Sequence, residues 1–265
     1  QAVINAESAF YSTINAGVHR GAHELASFST DAYENGRYAV ARLIGSHYGE
    51  GSDEIVVTGG ATAGLNMLAN AFDHASHDGI EPFAVGPSDS IVTSRAEHHS
   101  VLLPFQELAR RTGARLDFFD LDDSGRIVTT SESLARVITE RTKIVAVTHI
   151  SNVTGATTDI PAIVRMAHEV GAIVVLDACQ SVPHLPIDVH ELDVDFAAFS
   201  AHKMYGPTGV GFIYGKREML EKLPPMNFGG SMVELAWLDK PAQYMAPPAK
   251  FEAGTQPVAQ VVASG

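Results

Sequence analysis

Two residues stand where their types could do chemistry. Lys203 lies in Ser200-Ala-His-Lys-Met-Tyr-Gly-Pro-Thr-Gly209, directly after an apolar run. A lysine in a partly desolvated site releases its proton more readily and can condense with a carbonyl. The alternative is an ordinary surface lysine whose stem lies along a strand end. Asp177 closes Ile173-Val-Val-Leu-Asp177, so a carboxylate ends a buried strand, where an unpaired charge is costly. The plainer role for such an Asp is to cap the next helix. Gly59, Gly60 and Thr62 fall between an apolar run and a helical pattern, where backbone N–H groups and a hydroxyl can face an anion. The spacing is neither a Rossmann GxGxxG nor a P-loop. His98 and His99 are adjacent at a strand exit, where an imidazole could stack on a ring or shuttle a proton, or simply start a helix. His74 and His77, in Asp73-His-Ala-Ser-His-Asp-Gly79, read as a solvated polar loop, and no HExxH or comparable metal spacing occurs.

The elements that must position these groups alternate along the chain. Val3, Ala6, Phe10, Tyr11 and Ile14 recur at helical spacing, and a second helix is predicted over about Ser29 to His47. Strands are predicted at Glu54–Thr58, Ser90–Ser94, Leu116–Phe119, Lys143–Thr148 and Ala172–Asp177. Helices follow through Leu65–Ala69, over about Ser100–Thr112, from Thr130 or Ser131, and over Pro161–Val170. Continuous apolar strands separated by helices predict an α/β fold with a mostly parallel sheet covered on both faces. The runs at 195–200 and 209–214 are joined too closely for a helical crossover, so they are expected to be antiparallel or an edge feature. Pro241 to Pro248, with three prolines in eight residues, reads as an extended crossing segment. Ligands of open α/β sheets bind beyond the carboxyl ends of the strands. Those ends carry Thr58–Thr62, Glu97-His98-His99, His149-Ile-Ser-Asn152, Asp177-Ala-Cys-Gln180 and Ser200-Ala-His-Lys203.

Composition narrows the field. The 265 residues carry 18 Lys+Arg against 31 Asp+Glu, a formal charge of −13, which argues against phosphate-backbone binding to nucleic acid. With 45% hydrophobic and 18% charged residues the chain is globular in type. A single cysteine, Cys179, allows no intrachain disulfide and no cysteine-based zinc cluster. No apolar run reaches the ~18 residues of a transmembrane helix and no secretory pattern opens the chain, so a cytoplasmic protein without membrane partners is expected.

A strand-end Asp followed by a strand-end Lys is the pattern of pyridoxal-phosphate sites. There the lysine holds the cofactor, and the carboxylate keeps the pyridine nitrogen protonated so that the ring serves as an electron sink. The chain resembles the class V aminotransferase-like family of fold-type I pyridoxal-phosphate enzymes, and within it the Suf-type cysteine desulfurases and selenocysteine lyases. The resemblance rests on Val18-His-Arg-Gly21, Ala96-Glu-His-His99, Val147-Thr-His-Ile-Ser-Asn-Val-Thr-Gly155, Asp177-Ala-Cys-Gln-Ser181, Phe196–Gly211 and Phe251-Glu-Ala-Gly-Thr255, in family order across nearly the whole chain. It implies that Lys203 is the cofactor lysine and that His98 stacks on the ring and handles protons. It further implies that Asp177 pairs with the pyridine nitrogen, that Gln180 binds the phenolic oxygen, that Thr62, Ser200 and His202 hold the phosphate, and that Ala61 and Asn152 also bind the cofactor. Asn152 and His19 would line the substrate side, and Thr255 would reach the phosphate of a neighbouring subunit in a homodimer.

The implied reaction converts L-cysteine to L-alanine, the sulfur passing to an enzyme cysteine as a persulfide and then to an acceptor protein in iron–sulfur cluster assembly. Selenocysteine or C–S lyase activity, amino-acid epimerisation, or a non-catalytic binding role are the alternatives. Departures from the family pattern are Gly59-Gly60-Ala61-Thr62-Ala63 in place of Arg-Gly-Thr-Thr-Glu, Ala178-Cys179 in place of Gly-Ala, and Gln256-Pro257 in place of Pro-Asn. They bear on substrate choice more than on cofactor binding. Residues 1–265 are expected to form the large cofactor domain. Residues 1–28 would be a helix and substrate-side segment, and 241–265 would cross toward a small C-terminal domain absent from the chain. The sulfur-accepting cysteine and the arginine for the substrate carboxylate would belong to that domain. Cys179 is expected to be a small buried residue beneath the cofactor.

Overall fold

The structure, a computed structural model, describes residues 1–46 and 53–265. Its helices are α1 (Ala2–Thr13), α2 (Glu24–Leu43), α3 (Ala61–Asp78), α4 (His99–Thr112), α5 (Ser131–Val137), α6 (Ile160–Glu169), α7 (Val189–Leu192), α8 (Arg217–Lys222) and α9 (Val258–Ser264). The strands are β1 (Ile55–Thr58), β2 (Ser90–Thr93), β3 (Arg115–Phe118), β4 (Thr142–Thr148), β5 (Ile173–Asp177), β6 (Phe196–Ser200), β7 (Gly211–Gly215), β8 (Val233–Leu235) and β9 (Gln243–Tyr244).

Seven strands form one sheet in the order β1-β7-β6-β5-β4-β2-β3, and β8 and β9 form a separate hairpin. Neighbours from β3 through β6 run parallel, and β7 lies antiparallel to both β6 and β1. The antiparallel pairing expected of 195–200 and 209–214 is therefore present, in the sheet interior and not at an edge. Alternate residues feed two apolar layers. Val174 and Leu176 join the layer with α2, α6 and α9, while Ile173 and Val175 join that with α3 and α4. A sheet covered on both faces needs such continuous apolar strands, because neither face meets water.

Three readings need correction. The second helix begins at Glu24, not near Ser29, because the His23 imidazole caps it by accepting from the Ala26 N–H (3.2 Å). Histidine is not among the usual capping residues, so the start carried no signal. The expected end at His47 lies outside the described residues. His74 and His77 are not in a loop but in the last turns of α3, which runs to Asp78 and stops at left-handed Gly79. Leu65, Leu68, Phe72 and Ala75 continue its buried stripe; the polar residues are its solvent face, with His74 paired to Asp78 at 3.2 Å. Finally, 241–265 is not simply a crossing segment. Gln243–Tyr244 pairs with β8, and Val258–Ser264 is a helix packed on α1 and α2. Gly36 permits that packing, since a Cβ there would meet the Val261 carbonyl oxygen at 2.4 Å. Among the described residues, no helix is long and apolar enough to cross a membrane.

Candidate active site

Because β7 runs against its neighbours, its first residue lies where β1 and β6 end: Gly211 pairs with both Thr58 and Ser200. A Cβ on Gly211 would meet the Gly60 Cα at 2.5 Å and the Phe199 carbonyl oxygen at 2.7 Å. This close approach seats the start of α3 on the end of β6. Gly60, with φ of 133°, caps α3, and the Ala61 N–H donates to Ser200 Oγ at 2.8 Å. The N–H groups of Thr62 and Ala63 in the same turn have no partner among the described residues, and the helix dipole adds to their pull on an anion.

Asp177 ends β5 beside Thr148 of β4 and Ala198 of β6. It is 4% exposed, and one of its oxygens accepts the Cys179 N–H at 2.9 Å. No helix follows, so it is not an N-cap of the ordinary kind. Lys203 sits half-buried in the 3₁₀ turn Ala201–Met204, which follows β6 directly and closes on left-handed Tyr205 with the Gly206 N–H donating to the Ala201 carbonyl. Cys179 joins the two residues. Burial, then the Asp177 charge, push its thiol up to about 12, while the Lys203 charge and a Ser200 hydrogen bond oppose them. The thiol donates to Asp177 and is held neutral, which makes it a poor nucleophile.

His98 caps α4. Its Nδ1 accepts the Ser100 N–H at 3.1 Å and lies 2.7 Å from Ser100 Oγ, so the neutral ring carries its proton on Nε2. Its ring is exposed, as is Thr62; both also line a groove of about 440 Å³ between α3 and α4 that reaches neither Asp177 nor Lys203. Asn152 and His202 are exposed on their own strand-end loops, and Gln180 is half-buried three residues past Asp177.

His19 and Thr255 do not join this cluster. They line a separate cavity of about 300 Å³ with Arg20, Glu34, Ser231 and Gln256. His19 has φ of 60°, and its Nε2 lies 2.9 Å from Glu34. The Thr255 segment is tied down by Glu252, which accepts from Arg37 (2.5 and 2.9 Å), Tyr33 (3.2 Å) and the Val57 N–H of β1 (2.8 Å). Arg37 is 1% exposed and also donates to the Ile55 carbonyl.

Two features carried no role from sequence. One is the Arg37–Glu252 pair, whose partners lie 215 residues apart. The other is Glu97, 8% exposed, whose carboxyl accepts from Ser94 Oγ at 2.6 Å. Its position just before a strand-exit His pair was the only available signal. Burial, with help from the Asp177 charge, pushes its carboxyl up to about 8 against the pull of the Ser94 hydroxyl and the Thr148 amide.

An amine beside a buried carboxylate, an imidazole and an open helix N-terminus form a donor set suited to a phosphorylated pyridine aldehyde. The aminotransferase class-V family model matches residues 1–265, and the chain belongs to that family, whose cofactor is pyridoxal phosphate. It is 48% identical over 265 residues to "Probable cysteine desulfurase 2" of Mycobacterium leprae, covering 98% of this chain and 59% of that protein. Among solved structures it matches the apo cysteine desulfurase of Thermococcus onnurineus, with a TM-score of 0.89 and 36% identity over 99% of this chain and 62% of that one. It also matches the cysteine desulfurase CsdA of Escherichia coli, with a TM-score of 0.86, 38% identity and the same coverage. The chain thus spans about three fifths of the length of these relatives.

Proposed function

We propose that the chain forms the cofactor-binding part of a pyridoxal-phosphate cysteine desulfurase, acting on L-cysteine to give L-alanine and a persulfide. The observation that carries this reading is the meeting of Asp177 and Lys203 around Cys179, beside the unpartnered N–H groups of α3. The relatives named as cysteine desulfurases support the substrate. Pyridoxal phosphate, when bound, supplies an electron sink for charge developing on the substrate.

Lys203 supplies the amine that anchors the cofactor's carbonyl carbon. Asp177, desolvated at the end of β5, holds the pyridine nitrogen protonated, and Gln180 faces the phenolic oxygen. Ala61 and Thr62 of the α3 turn, with Ser200 and His202, take the phosphate. His98, fixed by Ser100, covers the ring and holds a proton at Nε2. Asn152 faces the substrate, and His19 faces that of the neighbouring subunit.

The sulfur acceptor is a thiol other than Cys179, whose proton is held against Asp177. The cavity shared by His19 and Thr255, apart from Lys203, favours a homodimer in which these residues complete the neighbouring subunit's site. Cytoplasmic iron–sulfur cluster assembly, with transfer to an acceptor protein, belongs to the same proposal. The test is to load the protein with pyridoxal phosphate and record visible absorption and alanine release from cysteine. Lys203→Ala is expected to abolish the lysine linkage, detected as loss of borohydride-fixed cofactor on that residue. Cofactor fixed equally well in the variant would overturn the assignment, and release of another product would redirect it toward lyase or epimerase chemistry.

A further inference from the structure

Glu97 is an acid that the desulfurase reading does not use. It follows β2 by four residues and is 8% exposed, with one oxygen on Ser94 Oγ and the other, Oε2, lacking a hydrogen-bond partner among the described residues. Two further buried polar atoms without partners lie at the same ends of the strands: Thr93 Oγ1 closing β2 and His149 Nδ1 just past β4. Across β4, Asp177 closes β5 at the level of Thr148. Two carboxyl groups thus share one desolvated end of the sheet, and no Lys or Arg is paired with Glu97 there among the described residues.

A pair of buried carboxylates this close cannot both stay ionised without a counter-charge. The two differ in what stabilises their anions. Asp177 accepts both the Cys179 N–H, at 2.9 Å, and the Cys179 thiol. Glu97 has one hydroxyl donor, a weak pull from the Thr148 amide, and a bare oxygen. The proton therefore belongs on Glu97. His149, kept neutral by its own burial, adds no positive charge at the exit of β4.

We propose that Glu97 is a positioning residue held as a neutral acid, so that Asp177 alone carries the negative charge presented to the cofactor's pyridine nitrogen. The proposal rests on the reading of Asp177 given above and deepens it: the sheet end is set to a single negative charge, matching a single pyridinium. When Glu97 ionises in alkaline solution, a second charge enters beside Asp177. The nitrogen's basicity rises, and the cofactor-free sheet end is destabilised by repulsion.

The test uses Glu97→Gln, which copies the neutral acid in shape and hydrogen bonding, and Glu97→Ala, which does not. In the cofactor-free protein, infrared difference spectra at pH 7 are expected to show a protonated-carboxyl band that Glu97→Gln removes. In the loaded protein, Glu97→Gln is expected to bind pyridoxal phosphate within about threefold of wild type, and to lose an alkaline spectral transition that wild type shows. Glu97→Ala is expected to weaken binding by roughly tenfold or more, about 1.4 kcal/mol. A missing carboxyl band, or tenfold weaker binding in Glu97→Gln, overturns the proposal. Asp177→Asn is the separate check on the underlying reading. If it leaves cofactor affinity unchanged, the assignment of Asp177 falls and this proposal with it; if it weakens binding while the carboxyl band is absent, only the proposal for Glu97 falls.

Discussion

At the scale of single residues, the site works by giving each titratable group an unequal share of solvent and partners. Cys179 shows how far this goes. A thiol that feels the charge of a nearby lysine would ordinarily be suspected as a nucleophile, yet burial and the Asp177 carboxylate oppose its ionisation more than Lys203 favours it. Cys179→Ser is accordingly expected to keep its bond to Asp177, retain bound cofactor and leave turnover within a fewfold of wild type, at a stability cost of about 1–2 kcal/mol. A variant that keeps the cofactor but loses all cysteine turnover would make Cys179 the sulfur acceptor. Residues at strand ends were readable because their neighbours in sequence fix their place: an apolar run ending in Asp177 or leading to Lys203 states its own geometry. Glu97 was not readable as a neutral acid, since that depends on Asp177 lying across β4, a distance no local pattern encodes.

At the scale of elements, one strand reversal organises the start of α3. Only because β7 enters the sheet backwards does Gly211 lie against both Ser200 and the α3 cap. Its lack of a side chain lets Gly60 settle within reach of Ser200 Oγ. Gly211→Ala would press a methyl into backbone on two sides, which cannot swing away as a side chain would. The expected result is a loss of about 1–3 kcal/mol in denaturant unfolding, with pyridoxal-phosphate affinity at least tenfold weaker because the α3 turn is displaced. Unchanged affinity would show that this contact does not set the turn. The reversal itself was legible, since the link from 200 to 209 is too short for a crossover. The beginning of α2 and the length of α3 were not. The first depends on a histidine acting as a cap, and the second on telling a solvent-facing helix stripe from a loop when both are polar.

At the scale of the whole molecule, two buried ionic clusters lock distant segments to the sheet. Asp195, at the entry to β6, accepts from His168 Nε2 of α6 (3.0 Å), the Val174 N–H of β5 (2.8 Å) and Lys216 Nζ after β7 (3.0 Å). The Asp195 hydrogen bond raises the His168 pKa above its usual value against the effect of burial. A raised histidine stabilises the fold fully below its unfolded pKa of about 6.5, and that contribution disappears as pH climbs through the higher folded value. Wild type should therefore lose more thermal stability than His168→Gln between pH 6 and pH 9, as read by Tm; parallel profiles would remove His168 from the account.

The second cluster is centred on Glu252. Glu252 ties the segment bearing Thr255 to α2 through Arg37 and Tyr33 and to β1 through the Val57 N–H. Burial works against the Arg37 charge, but Glu252 foremost, then Tyr33 and Glu34, keep its pKa well above the usual value. Glu252→Gln removes the main counter-charge and leaves only the part-exposed Glu34, 3.0 Å from Nε. The expected cost is about 3–5 kcal/mol, because a buried guanidinium then lacks its partner. Replacing both members together, Arg37→Met with Glu252→Gln, should cost less than Glu252→Gln alone, since no unpaired charge remains. Urea unfolding of the wild type and the two variants measures both quantities. If the double variant is the least stable, the pair contributes through packing and hydrogen bonds to β1, and the Thr255 segment is held by shape more than by charge.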